Sequence, residues 1–106
     1  MGECENLTNI NLIGLTKLEQ INNLFAVECK NLTNINLIGL TELKMIGTNF
    51  AEQCTNLEEI KLIELTKLEW IGADFLSGST DNLESIYFTG NSRYTKDRII
   101  KLINNK

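Results

Sequence analysis

The chain has 106 residues, of which 42% are apolar, a net charge of -4, and neither histidine nor proline. This length and composition predict one globular domain. The lack of histidine removes the commonest general base and metal ligand, which argues against acid–base or zinc chemistry.

The charges are distributed unevenly. Residues 1–92 carry 13 acidic and 5 basic side chains, whereas residues 93–106 carry 1 and 5. Because the acidic body repels phosphate backbones, we expect no nucleic-acid partner. No apolar run approaches the roughly 18 residues of a membrane span, so we expect no membrane insertion. Phosphate-binding loops, Ser/His pairs and zinc-protease motifs are also missing, so the sequence predicts no enzyme and no cofactor.

One pattern recurs along the chain: C-x-N-L-x-x-I-x-L-I-x-L-T-x-L-x-x-I-x-x-x-F. It begins at Cys4, Cys29 and Cys54, and a less complete copy begins at Thr80. Such a period is typical of solenoids, in which each unit buries its apolar side against its neighbours. We therefore predict one domain with units 4–28, 29–53, 54–79 and 80–94.

Within a unit, alternation predicts a short strand and then a bend. In the second unit Leu32, Ile35 and Leu37 alternate with outward polar residues, as in a half-buried strand. Leu40, Leu43 and Ile46 then recur every three residues, which fits either a tight helical turn or a second, irregular strand. The apolar positions are expected to form columns through the stack, including Phe25, Phe50 and Phe75.

The three cysteines share one repeat position, which the fourth unit fills with Thr80. We interpret this position as one for small, half-polar side chains and expect buried free thiols. The spacing of adjacent coils, about 4.8 Å, leaves a disulfide possible. A metal site is the least favoured alternative, because three collinear sulfurs offer no tetrahedral set. Free thiols and the lack of a signal-peptide core favour the cytoplasm.

An asparagine precedes the first leucine of every unit, at Asn6, Asn31, Asn56 and Asn82. We expect a ladder in which these amides bond along the stack, in preference to glycosylation at Asn6 and Asn31.

The C-terminal segment leaves the repeat after Tyr94. A capping helix is predicted over residues 95–104, with Thr95 as N-cap and one apolar face formed by Ile99, Ile100, Leu102 and Ile103. A helix lying on a membrane surface is the alternative.

The repeat resembles the BspA-like leucine-rich repeats. The resemblance rests on Cys54, Asn56, Leu57, Ile60 and Leu62, followed by the segment Ile71-Gly72-Ala73-Asp74-Phe75. It implies an α/β solenoid: a leucine-rich-repeat coil with a short parallel β-sheet on its concave face and, here, a C-terminal capping helix. It also implies a surface or secreted protein that adheres to other macromolecules. Whether the chain is a fragment, a short free-standing relative or an engineered repeat stays open.

The outward positions of the predicted sheet change from neutral amides to charged and aromatic residues. We therefore expect a protein partner to bind around Glu58, Glu59, Lys61, Glu84 and Tyr87. Paired carboxylates also occur in calcium and glycosidase sites, but no cleft is predicted around these. Trp70, in line with Gln20 and Met45, is a further contact candidate.

The first unit has no predicted lid. Leu7, Ile10 and Leu12 are expected to form an uncapped edge. The rival to a binding module is thus a structural unit that forms a homodimer or polymer through this edge.

Overall fold

The computed structural model describes residues 4–89 and 93–104. The chain winds as a coil that adds one strand to each of two parallel sheets per turn. The four-stranded sheet has the order β1-β3-β5-β7, and the three-stranded sheet has the order β2-β4-β6. The strands are β1 (Asn9–Asn11), β2 (Gln20–Ile21), β3 (Asn34–Ile38), β4 (Met45–Ile46), β5 (Glu59–Ile63), β6 (Trp70–Ile71) and β7 (Ser85–Phe88). The predicted solenoid fold is therefore confirmed. The end of the fourth predicted unit, at residues 90–92, lies outside the described residues.

Register follows the repeat length. Ile10 pairs with Ile35, and Ile35 pairs with Ile60, at a spacing of 25 residues, whereas Ile60 pairs with Ile86 at a spacing of 26. Ser79 comes just before the fourth unit, at the end of the 26-residue third unit. Its buried hydroxyl accepts a hydrogen bond from the Cys54 amide (2.7 Å) and donates one to the Ala51 carbonyl (2.5 Å). The longer unit thus keeps both the register and the backbone hydrogen bonds of the stack.

The core consists of columns of equivalent side chains. Leu32, Leu37, Leu57 and Leu62 are fully buried. The rings of Phe25, Phe50 and Phe75 stack with centroids 5.4 and 5.5 Å apart. One coil cannot bury this surface alone, because each side chain packs on its counterpart in the next coil.

The other side of the coil contains a tight turn, in which Leu43 N donates to Leu40 O at 3.1 Å, followed by the two-residue strand Met45–Ile46. Gln20 pairs with Met45 and Met45 with Trp70 in the second sheet. A spacing of three between apolar residues fits both conformations, and both occur: pairing between coils satisfies the backbone amides of the strand, and the bond within the turn satisfies that of Leu43.

Each coil then closes through alternate left-handed residues. Leu24, Asn49 and Asp74 have φ of 64°, 61° and 62°, and similar values recur two and four residues further on. Left-handed backbone is costly for residues with a Cβ. Here it directs amides toward neighbouring coils, as in the bonds from Leu24 N to Thr48 O and from Asn49 N to Ala73 O.

The asparagine ladder is confirmed. The side-chain amides of Asn31, Asn56 and Asn82 donate to backbone carbonyls of the preceding coil, at Glu5, Lys30 and Thr55. The ladder thus runs from side chain to backbone, and it ties successive coils together at one corner.

The expectation of three free thiols is wrong for two of them. Cys4 and Cys29 form a disulfide, with Cα atoms 5.3 Å apart, and Cys54 remains a buried free thiol. Equivalent positions on adjacent coils lie within the range of Cα separations that a disulfide needs. Burial raises the pKa of the Cys54 thiol.

The helix α1 (Lys96–Asn104) covers the end of the stack. Thr95 caps it, since the Arg98 amide donates to Thr95 Oγ1 at 3.2 Å, and Ile99 and Ile103 are buried in the core. The Tyr94 hydroxyl accepts a hydrogen bond from the Ile71 amide at 3.0 Å, on the open edge of β6. Because its apolar face is used in this way, α1 serves as the predicted cap. No helix in the described part of the chain is long and apolar enough to cross a bilayer.

Candidate interaction surface

The outward side of the four-stranded sheet, called the sheet face below, presents one row of side chains per repeat position. Strand pairing places Asn9, Asn34, Glu59 and Ser85 in one row and Asn11, Asn36, Lys61 and Tyr87 in the next. These residues lie outward because their neighbours Ile10, Ile35 and Ile60 point into the core and successive strand residues face opposite sides.

At one end of the sheet face lies an acidic–aromatic patch, formed by Glu58, Glu59, Lys61, Glu84 and Tyr87. Glu58 and Glu84 lie on adjacent coils, joined by the hydrogen bond from Glu84 N to Glu58 O at 2.8 Å. Both carboxylates are exposed, and 47% of the surface of Tyr87 is accessible. The five residues that the sequence singled out thus lie on or directly before the adjacent strands β5 and β7.

Lys61 occupies the middle of the patch. Its Nζ lies 3.4 Å from Glu59 Oε2 and 5.6 Å from the centre of the Tyr87 ring. It partly neutralises Glu59, whereas it forms no ion pair with Glu58 or Glu84. The patch thus has three carboxylates and one ammonium group, with an aromatic ring at its edge.

The other end of the sheet face is neutral. Thr8, Asn9 and Asn11 are exposed, and Asn34 donates to Thr33 Oγ1 at 3.1 Å. The Oδ1 atom of Asn36 is buried and accepts no hydrogen bond from the described residues. The two ends of one surface therefore differ in charge, although they share a backbone.

Calcium and acid–base chemistry gain no support from this geometry. Among residues 4–89 and 93–104, no cluster of three or more His, Cys, Asp or Glu residues is arranged to hold a metal ion. Glu58 and Glu84 are exposed on an open strand face. Such a position keeps carboxylates hydrated and gives them no enclosed site in which to act on a substrate.

The first coil differs from the edge that the sequence predicted. Ile10 is 7% exposed, Leu12 is half-buried and Leu7 is 37% exposed, so Leu7 offers the largest accessible surface of the three predicted edge residues. Sequence reasoning missed three more exposed apolar residues of this coil: Ile13, Leu15 and Leu24. Leu24 was detectable, because its equivalents are Asn49 and Asp74.

Trp70 is 45% exposed in the outward row that also contains Gln20 and Met45. It lies on the second sheet, away from the acidic–aromatic patch. Its row holds no charged side chain, and we place no site there.

A parallel sheet built from one strand per coil, columns of leucine and isoleucine, and a cap on one end define the class of leucine-rich-repeat solenoids. The sequence model of one family in this class, described as "BspA type Leucine rich repeat region (6 copies)", matches residues 2–103. The chain belongs to this family of BspA-type leucine-rich-repeat proteins. Searches of curated proteins and of solved structures found no match. Solenoids of this kind are typically non-catalytic scaffolds.

Proposed function

We propose that the protein is a non-catalytic interaction module that binds a basic segment of another protein across the acidic–aromatic patch. The observation that supports the proposal is that exposed Glu58 and Glu84 precede the adjacent strands β5 and β7, and that β7 also carries the exposed Tyr87. Repeat solenoids present extended surfaces of this kind to partners.

Charge and ring chemistry together define the partner. Glu58 and Glu84 offer two exposed carboxylates on adjacent coils, a spacing that suits two basic side chains or one guanidinium group. Tyr87 presents an exposed ring, over which arginine packs favourably. Lys61 already lies near that ring at 5.6 Å, so the position accommodates a cation. An arginine-containing segment therefore fits the patch better than an acidic one.

The size of the surface limits the affinity. Four strands about 4.8 Å apart and about six residues long give a face of roughly 400 Å², half of what each partner buries in a standard interface. Exposed ion pairs contribute little individually and are screened by salt. We therefore expect weak binding that decreases as the salt concentration rises. Basic partners should associate faster than acidic ones.

The test is fluorescence anisotropy with labelled, extended peptides that are matched in length and differ only in arginine or glutamate content. The arginine peptides should bind, and the glutamate peptides should not. The double variant Glu58→Gln/Glu84→Gln should weaken binding at least about fivefold, and Tyr87→Ser should weaken it about threefold.

Glu69→Gln is the matched control. Glu69 is an exposed glutamate beside the second sheet, so the variant removes one negative charge, half the change of the double variant, on another face. Equal binding of arginine and glutamate peptides would refute the proposal. A Glu69→Gln effect as large as that of the double variant would show that only net charge matters, and would also refute it.

A further inference from the structure

The first coil exposes apolar side chains of a kind that the next coils bury. Leu7, Ile13, Leu15 and Leu24 are 37%, 52%, 50% and 63% exposed. The equivalents of Leu7 and Leu15 in the second coil, Leu32 and Leu40, are fully buried. We call the surface formed by these four residues the first-coil face.

The first-coil face contains both a projection and a groove. Leu24 stands at the rim of a cavity of about 330 Å³, whose lining includes Leu7, Ile10, Phe25 and Val27. Leu24 holds a left-handed backbone (φ 64°) at a position where the second and third coils have Asn49 and Asp74. Asparagine and aspartate tolerate this conformation better than leucine does. An exposed leucine in a strained conformation, beside an apolar groove, indicates a contact that compensates for it.

A further coil in the register of the stack does not fit this face. The second and third coils have Gly47 and Gly72 at a position where the first coil has Asn22. A Cβ at Gly47 would lie 2.6 Å from the Asn23 amide nitrogen, and one at Gly72 would lie 2.7 Å from the Thr48 amide nitrogen. The Asn22 Cβ would meet the backbone of any coil stacked in the same way. The occupant therefore approaches in another geometry.

The composition of the face favours a second copy of the chain. Residues 6–16, which include β1, carry no charged side chain. Free edge strands are usually blocked by charge or proline against pairing with another chain. Around a two-fold axis, a patch that holds both a projection and a groove is complementary to itself, and each Leu24 would enter the groove of the other copy.

We infer that two copies of this protein bind each other through their first-coil faces and form a closed dimer. The opposite end of the stack is covered by α1, whose Ile99 and Ile103 are buried. The first-coil face of one copy therefore binds the first-coil face of another copy, and no further copies can add to the dimer. The four exposures amount to about two whole leucine-sized residues, roughly 400 Å² or about half of the 800 Å² per partner of a standard interface, so we expect a weak dimer.

The test is sedimentation velocity on the full chain between about 1 µM and 1 mM, in non-reducing buffer so that Cys4 and Cys29 stay joined. The 12.0 kDa monomer should convert to a dimer as concentration rises. Leu24→Asn, which inserts the residue of the second coil, should raise the dissociation constant at least tenfold. Its monomer should melt at the same temperature or higher, because asparagine relieves the left-handed strain.

Trp70→Gln is the control, since it removes another exposed apolar residue, 45% accessible, and inserts the residue of the first coil, Gln20. It should change the dissociation constant less than twofold. A wild-type chain that is monomeric at 1 mM, a continuous series of larger species, or equal effects of the two variants would each overturn the inference.

The dimer does not depend on the proposed peptide binding. It should persist at 0.5 M salt and in Glu58→Gln/Glu84→Gln, because the first-coil face is uncharged, whereas peptide binding should weaken under both conditions. Loss of the dimer in high salt would contradict the apolar contact and leave the peptide result unaffected.

Discussion

Replacing Gly72 with alanine tests the stacking of coils most directly. The added Cβ would lie 2.7 Å from the Thr48 amide nitrogen and 2.8 Å from the Thr48 Cα, where ordinary contacts begin at 3.4 Å. The second and third coils would have to separate locally, which would lengthen the bond from Gly72 N to Ile46 O, now 2.9 Å. Overpacking costs about 1–3 kcal/mol and a weakened hydrogen bond about 1 kcal/mol, and the lower chain entropy of alanine offsets up to about 1 kcal/mol.

The free energy of unfolding should therefore fall by about 2–3 kcal/mol, which lowers the urea midpoint by about 1–2 M. Circular dichroism at the strand minimum follows the transition. Asn22→Ala is the matched control, because Asn22 occupies the same repeat position on the exposed first coil. It should shift stability by less than about 0.5 kcal/mol. Equal stability of Gly72→Ala and wild type would refute the close approach of coils on which the fold depends.

Three further changes probe single groups. Ser79→Ala should lower the free energy of unfolding in urea by about 2–4 kcal/mol, because it leaves the buried Cys54 amide and Ala51 carbonyl unpaired. An unchanged urea midpoint would mean that Ser79 only fills space. Cys4→Ser should cost about 3–4 kcal/mol by opening the loop to Cys29, and a reductant should destabilise wild type but not this variant. Burial raises the pKa of the Cys54 thiol above its ordinary 9.0, so the folded state keeps its proton where the unfolded state loses it. This contribution to stability should be present below pH 9 and decline as pH rises further; a Cys54→Ala variant that loses stability with the same slope would contradict this account.

The repeat pattern predicted the main sheet because it carries two kinds of information at once. Alternation in Leu32, Ile35 and Leu37 sets which side chains point inward, and the interval of 25 or 26 residues sets which strands pair. The ladder of Asn31, Asn56 and Asn82 followed from the same reasoning, since equal positions on equal coils lie side by side.

Features that depend on three-dimensional distances were less predictable. The spacing of Leu40, Leu43 and Ile46 fits a helical turn as well as a strand, and the segment contains both: Leu40 and Leu43 close a turn, whereas Ile46 pairs with Ile71 of the neighbouring coil. The disulfide between Cys4 and Cys29 could be predicted only from the distance between their backbones. The sequence places the two cysteines on adjacent coils, and that spacing is compatible both with a disulfide and with two free thiols.

The candidate surfaces lie where the units stop being copies of one another. Positions that pack between coils are nearly identical in every unit, because each must fit the same neighbour. Glu58 and Glu84 replace Thr8 and Thr33, and Leu24 and Asn22 replace residues that the stack itself requires to be polar or to be glycine. A substitution that copies the next unit onto such a position should therefore preserve the fold and remove an interaction, which is why Leu24→Asn separates folding from assembly more cleanly than a change to alanine would.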